Sequence, residues 1–368
     1  MSLKAERERK PVDKVWDALR ESGIFYHFVP RKYGGKEFDI DTFIDAVLPL
    51  SAGCASTGWV TSFCMEHNWM MAQFPEQAQD EIFSEFPYII APGVISPGGS
   101  VEKVDGGYIL NGRWKWGTGV MHADWILASG LLDNGTDVPD AIFCVLPVEQ
   151  CQVIDTWYVD GMIATGSNDI AVENVFIPDH RTLPVGDMRQ GNAWGAKLYD
   201  SPLFGMPMLP FLALTAAIPA VGAAQAAVEY YRDRAKERVV YGTTGAQQES
   251  QVAQIKLGHA ANDVEMAEAL LRHAGREIYE LGKTPDQTTM EDRIRLRLIV
   301  AKVVDMCRQT ITNLCTASGA SVHMLDNPLQ RHLRDVNVMC GHVVFQLDGA
   351  AEMHGRLQLG LEPSSTLI

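Results

Sequence analysis

Apolar residues recur at three- and four-residue intervals through most of the first 86 positions, the spacing that lines one face of a helix. Residues 11–22 carry Val12, Val15, Trp16 and Leu19 on that period. Residues 39–50 resume it with Ile40, Phe43, Ile44 and Val47, after punctuation by Pro30 and Gly34-Gly35. Two further helices are predicted over 55–72 and 75–83. From about residue 87 the period shortens. Strand-like runs at 100–104, 108–110 and 113–116 are separated by Asp105-Gly106 and Asn111-Gly112, dipeptides suited to tight hairpin turns. Runs at 125–131, 141–146, 152–154 and 170–176 continue the pattern, which predicts a small antiparallel barrel or sandwich. A Gly- and Pro-rich connector runs to residue 210. Four long helical patterns follow, at 211–241, 246–281, 290–318 and 329–354, with Gly242, Gly282, Gly319 and Gly355 at or near their ends. They predict a four-helix bundle. The expected fold is therefore mostly α with a small β domain: an N-terminal helical domain (1–86), a β-barrel domain (87–185), then the connector and bundle (186–368).

Composition narrows the function. Across 368 residues, 46 Asp and Glu outweigh 31 Lys and Arg, a formal charge of −15. That balance disfavours nucleic acid and anionic membranes as partners. Seven cysteines without a CxxC pair argue against a disulfide framework or a zinc ribbon and point to a reducing cytoplasm. Residues 211–228 are uncharged for the length of a membrane span. They are mostly alanine, though, and run into Glu229 and Arg232, which reads as close packing inside a bundle. The ten histidines show no HExxH or HxH spacing, so no metal site is expected. No GxGxxG follows a strand, no P-loop occurs, and no Gly-x-Ser-x-Gly elbow is present.

Three stretches carry a resemblance that covers nearly the whole chain. GYILNGRWKWGTGVMHADWILASG (107–130), GMIATGSNDIAVENVFIP (161–178) and ERVVYG (237–242) occur in order. They resemble the flavin-contacting segment, the closing barrel strand and the R-x-x-F-G phosphate motif of the acyl-CoA dehydrogenase fold. Two departures separate the chain from the dehydrogenases themselves. After Arg331-His-Leu-Arg334-Asp335, no Asp or Glu occurs before Asp348, and His342 stands near where a catalytic Glu would be. Cys315 stands near the position of a Gln that helps hold FAD. With Thr165-Gly166-Ser167 and Trp114-x-Trp116-x-Thr118-Gly119, both departures resemble the oxygenase components of two-component flavin-dependent monooxygenases. The relevant branch includes p-hydroxyphenylacetate hydroxylase and the phenol hydroxylases of steroid-ring degradation.

The resemblance implies that a separate flavin reductase supplies reduced FMN, or FADH2, and that O2 is the co-substrate. A flavin C4a-hydroperoxide would then hydroxylate a small aromatic, phenolic substrate in a homotetrameric enzyme. It also implies roles. Thr118 would hold flavin N5 and Trp116 would lie beside the ring. Ser167 and Asn168 would bond the ribityl or phosphate region, and Arg238 with Tyr241 would take the phosphate. His342 would protonate or stabilise the peroxide, while His67 and Ser96 would contact the substrate phenol. Two other readings stay open at this stage: an acyl-CoA dehydrogenase with a displaced base, and a monooxygenase acting on a heterocycle sulfur or nitrogen. The run Arg293, Arg295, Arg297 and Lys302 reads as a solvated or subunit-facing stripe.

Overall fold

Five helices open the chain: α1 (Ser2–Glu8), α2 (Asp13–Ser22), α3 (Ile40–Gly53), α4 (Ala55–Met71) and α5 (Glu76–Ile82). The structure is a computed structural model that describes residues 1–136, 139–239 and 245–365. The Asp39 side chain starts α3 by accepting from the Thr42 amide at 2.8 Å, which satisfies a donor the helix leaves unpaired. In α4 every residue is buried except Phe63, which is half-buried. A helix enclosed on nearly all sides explains its unbroken apolar run.

Seven strands follow: β1 (Gly93–Val104), β2 (Gly107–Trp114), β3 (Trp125–Leu132), β4 (Asp140–Pro147), β5 (Gln152–Ile154), β6 (Asp169–Pro178) and β7 (Thr182–Pro184). They form one sheet in the order β5-β6-β2-β1-β3-β4-β7. The Asp105-Gly106 hairpin forms as expected. The sheet is mixed, however, and not wholly antiparallel. Residues 115–124 carry the chain from β2 past β1, so β3 lies on β1's other edge and runs parallel to it. Asn111-Gly112 is not a turn either. It is a register shift inside β2 where β2 pairs with β6. The Trp114 indole is the cause: a Cβ on Gly98, Gly99 or Gly112 would fall within 3 Å of that ring. The glycines make room for the indole, which is buried and donates to the Ser129 carbonyl at 2.8 Å. β4 touches β6 although three strands separate them in the order, so the sheet is rolled around its own apolar core.

The connector holds two short helices, α6 (Val185–Arg189) and α7 (Trp194–Leu198). The bundle comprises α8 (Met208–Glu237), α9 (Gln251–Leu281), α10 (Met290–Ala317), α11 (Pro328–Cys340) and α12 (Leu347–Gln358). α8 is long and apolar enough to cross a membrane, but its side chains are buried against α3, α4, α9, α10 and α11. Small residues permit that approach. A Cβ on Gly222 would lie 2.5 Å from Ser51 Cβ, and one on Gly58 would lie 2.2 Å from Ser51 Oγ.

The fourth expected bundle helix is broken. α11 ends at Cys340, a single 3₁₀ turn covers Val343–Phe345, and α12 starts at Leu347. Arg297 of α10 secures the break, with Nε donating to the Val344 carbonyl at 3.2 Å and Nη2 to that of Val343 at 3.0 Å. Arg297 is thus buried rather than part of a solvated stripe. The break frees carbonyls that an intact helix would bond, and a buried guanidinium satisfies them.

Candidate active site

α4 places Trp59, Phe63 and His67 at i, i+4 and i+8, hence on one face. Trp59 stacks on Phe63 with centroids 4.6 Å apart, and Phe63 meets His67 edge-on at 5.6 Å. From the break after α11, His342 meets Trp59 edge-on at 5.8 Å and Phe63 at 6.4 Å, with Phe345 6.0 Å from its other side. Phe63, the one incompletely buried residue of α4, therefore stands between two imidazoles. The expectation of a mid-helix His342 is corrected: it caps the 3₁₀ turn, outside any α-helix.

The two rings have opposite hydrogen-bond polarity. His67 Nδ1 lies 2.5 Å from the Ala91 carbonyl oxygen, an acceptor, so Nδ1 carries the proton and Nε2 keeps a lone pair. His342 Nδ1 accepts from the Val344 amide at 3.5 Å, which leaves Nε2 to carry the proton. Burial lowers both pKa values to about 4, so both rings are neutral at pH 7. A Cβ on Gly93 would lie 2.7 Å from His67 Nε2, so Gly93 leaves the space that this nitrogen faces.

Sequence reasoning passed over the residue before His67. Glu66 is fully buried, and its Oε1 is 3.8 Å from His67 Nε2. Its other oxygen shares a short hydrogen bond with Thr215 Oγ1 of α8, and desolvation holds its carboxyl well above the usual range. The aromatic partners Trp59 and Phe63 were missed as well, although their four-residue spacing to His67 was legible.

Thr118 sits directly above α4. A Cβ on the next residue, Gly119 (φ 93°), would approach Cys64 Sγ to 2.8 Å. Thr118 Oγ1 lies 3.0 Å from Ser167 Oγ, which donates to Thr165 Oγ1 at 2.8 Å. Three buried hydroxyls thus form a chain at the sheet's edge. Two residues apart, Trp114 and Trp116 would share a face of a continuous strand; they do not, because β2 ends at Trp114 and Trp116 turns outward at φ 65°. Its indole is 60% exposed, a large apolar surface left uncovered beside Thr118. The Asn168 carboxamide oxygen accepts from the Thr156 and Trp157 amides, both at 3.0 Å, so this side chain fixes its own loop. Ser96 is exposed and lies within β1, at the irregularity between Val94 and Gly99, rather than on a loop.

Arg238 ends α8. Its Nη1 donates to the Ser318 carbonyl at 2.8 Å, and its guanidinium fills the space beside Gly319, where a Cβ would lie 2.8 Å from Nη2. Arg234, one turn earlier, donates to the same carbonyl at 3.2 Å and to Ser321 Oγ at 2.5 Å. No carboxylate pairs with either guanidinium among the described residues. Two adjacent cations without an anion suit a phosphate group. Tyr241 lies outside the described residues. The Arg334-Asp335 pair of the bundle motif has a joining role. Asp335 Oδ1 accepts from the Met162 amide at 2.6 Å, and Arg334 donates to the Asp160 carbonyl at 2.5 Å and to Glu6 at 2.7 Å. Cys315 is buried with its thiol against the Leu329 carbonyl. Among the described residues no group of three or more His, Cys, Asp or Glu is placed to hold a metal ion.

An exposed indole, a hydroxyl chain and two guanidinia without a carboxylate partner among the described residues fit a flavin. With helices either side of a rolled sheet, they define a flavoprotein of the acyl-CoA dehydrogenase fold, and residues 214–347 match the acyl-CoA dehydrogenase C-terminal domain. Relatives sharpen the class. A pigment production hydroxylase of Rhodococcus sp. is 36% identical over 99% of this chain and 94% of its own length. An FADH2-dependent resorcinol hydroxylase oxygenase component of Rhizobium sp. is 33% identical over 97% and 90%. The crystal structure of 3-HSA hydroxylase from Rhodococcus sp. RHA1 superposes with a TM-score of 0.94 at 29% identity, covering 100% of this chain and 95% of that one. The chain belongs to the oxygenase components of two-component flavin-dependent monooxygenases, which use reduced flavin and O2.

Proposed function

We propose that this oxygenase hydroxylates a small phenol held against Trp59, Phe63 and Phe345. The observation that carries the reading is the polarity of the two neutral imidazoles flanking Phe63. The lone pair on His67 Nε2 accepts the phenol proton, which makes the ring electron-rich. The Nε2 proton of His342 is available to the oxygen being transferred. Neutral imidazoles serve both roles at pH 7, and the apolar walls keep water from the reacting atoms. When bound, the reduced flavin supplies the electrons that activate O2. Thr118 and Ser167 hold its ring edge beside Trp116, and Arg238 with Arg234 neutralises its phosphate charge. Of the two reduced flavins, FADH2 suits the paired guanidinia, which can meet a diphosphate, and it is the form named for the Rhizobium relative. Ser96, on the exposed irregular part of β1, borders the substrate, while Asn168 shapes the flavin loop from behind.

The same reading brings a separate flavin reductase, a cytoplasmic setting that keeps the seven free thiols reduced, and a homotetramer. Exposed Val252, Ile255, Met266 and Leu270 recur along α9 at helical spacing, which supports a subunit-facing stripe. The test supplies the protein with enzymatically reduced FADH2 or FMNH2, O2 and a panel of phenols, and scores hydroxylated product against H2O2. Product from at least one phenol, with little H2O2, is expected. Flavin oxidation that yields only H2O2 across phenols, indoles and thiophenes alike would overturn the reading.

A further inference from the structure

Glu66 is a carboxyl buried to 2% exposure, and among the described residues no Lys or Arg pairs with it. A lone acid so placed is costly unless it is neutral or shares its proton. Two groups are within reach. Thr215 Oγ1 has two acceptors for its one proton, Glu66 Oε2 and the Leu212 carbonyl at 2.9 Å. Towards Oε1 stands His67 Nε2 at 3.8 Å, carrying the lone pair that its Nδ1 bond to Ala91 leaves there. That gap is wider than a hydrogen bond, and the shared proton requires the carboxyl to turn towards the ring. The surroundings supply no competing charge. Facing the pair are Thr215 from α8, the Ala91 carbonyl and Gly93 from the stretch entering β1, and Cys64 from α4 itself. Arg20 and Asp124 act on the Cys64 thiol rather than on the pair.

We infer that Glu66 is a positioning residue for His67, the two sharing one proton between Glu66 Oε1 and His67 Nε2. The transfer moves a proton and no electrons. With the proton on oxygen both groups are neutral; with it on nitrogen, a carboxylate lies beside an imidazolium. With the carboxyl ionised and its proton released to solvent, the carboxylate lies beside Nε2, so a phenol proton taken up there leaves phenolate and a neutral pair, with no isolated buried cation. The shared proton rests on geometry alone. Its use in turnover rests on the role proposed above for His67, and the two fail separately.

The test follows His67 in the full-length protein labelled with nitrogen-15 histidine, the signal being the one lost in His67→Asn. Protonation of the ring is titrated in wild type and Glu66→Gln, without substrate. In Glu66→Gln, which has no proton to share with the ring, it should titrate near 4, where burial outweighs its bond to Ala91. In wild type the midpoint should be higher by ~2 pH units, a roughly hundredfold change in proton affinity. Equal midpoints overturn the inference. If Glu66→Gln does not fold, wild type alone decides: a midpoint well above 4, at about 6, supports the shared proton and one that stays near 4 overturns it. A protein that fails to hydroxylate any phenol yet shows the raised midpoint would refute the proposed function and leave the pair intact.

Discussion

At the scale of single residues, the site depends on a missing side chain as much as on those present. Gly93 lacks a positive φ, so an alanine there is limited by space and not by backbone. Its Cβ would come within 2.7 Å of His67 Nε2 and drive the imidazole off its bond to Ala91. Gly93→Ala should keep the far-ultraviolet circular dichroism of wild type while hydroxylation falls by roughly tenfold or more. In the proposed reading His342, on the other side of Phe63, is the donor. His342→Ala should lower product formation by roughly 10²-fold while flavin oxidation continues and releases H2O2, measured as product per flavin oxidised. The family resemblance pointed to both histidines, each a polar residue within an apolar run. Glu66 was not legible in the sequence: a single acid on an otherwise apolar helix gives no sign from spacing that it will be buried beside a ring nitrogen.

At the scale of elements, the joints were harder to foresee than the helices. Helical periodicity located α3, α4 and α8 to α10 to within a few residues, because burial of one face is written every three or four positions. The break at 341–346 left no such trace. Val343, Val344 and Phe345 keep the helical apolar pattern, and what stabilises the break is Arg297, 44 or more residues away in sequence. The parallel pairing of β1 with β3 was hidden likewise, since pairing partners are set by the path of 115–124. A second joint ties α11 to the sheet domain through Asp335 and the Met162 amide. Burial raises Asp335 to about 7 from 3.8, outweighing the amide that favours its charged form. Between those values the native state holds a proton that the unfolded chain has lost, so this contribution is complete below about pH 4 and disappears as pH rises to about 7. Asp335→Asn keeps an acceptor and removes the titration. Denaturant unfolding at pH 5 and pH 8 should show wild type losing roughly 2–4 kcal/mol relative to the variant.

For the whole molecule, the formal charge of −15 gains a local exception. Positive charge is concentrated where Arg234 and Arg238 meet the end of α10, a helix terminus whose carbonyls attract cations even before a phosphate arrives. If the flavin held there belongs to a neighbouring subunit, cofactor affinity and assembly are coupled, and each strengthens the other. Arg238→Ala should weaken reduced-flavin binding by roughly 10–100-fold, more at low salt than at high, and leave the sedimentation coefficient of the flavin-free protein unchanged. If the proposed homotetramer forms through the exposed stripe of α9, Ile255→Glu with Met266→Glu should dissociate it and weaken flavin binding together, although neither residue lies near Arg238 in sequence. Dissociation with undiminished flavin affinity would place the whole cofactor site within one subunit. A helix face carrying four exposed apolar residues would then serve assembly alone.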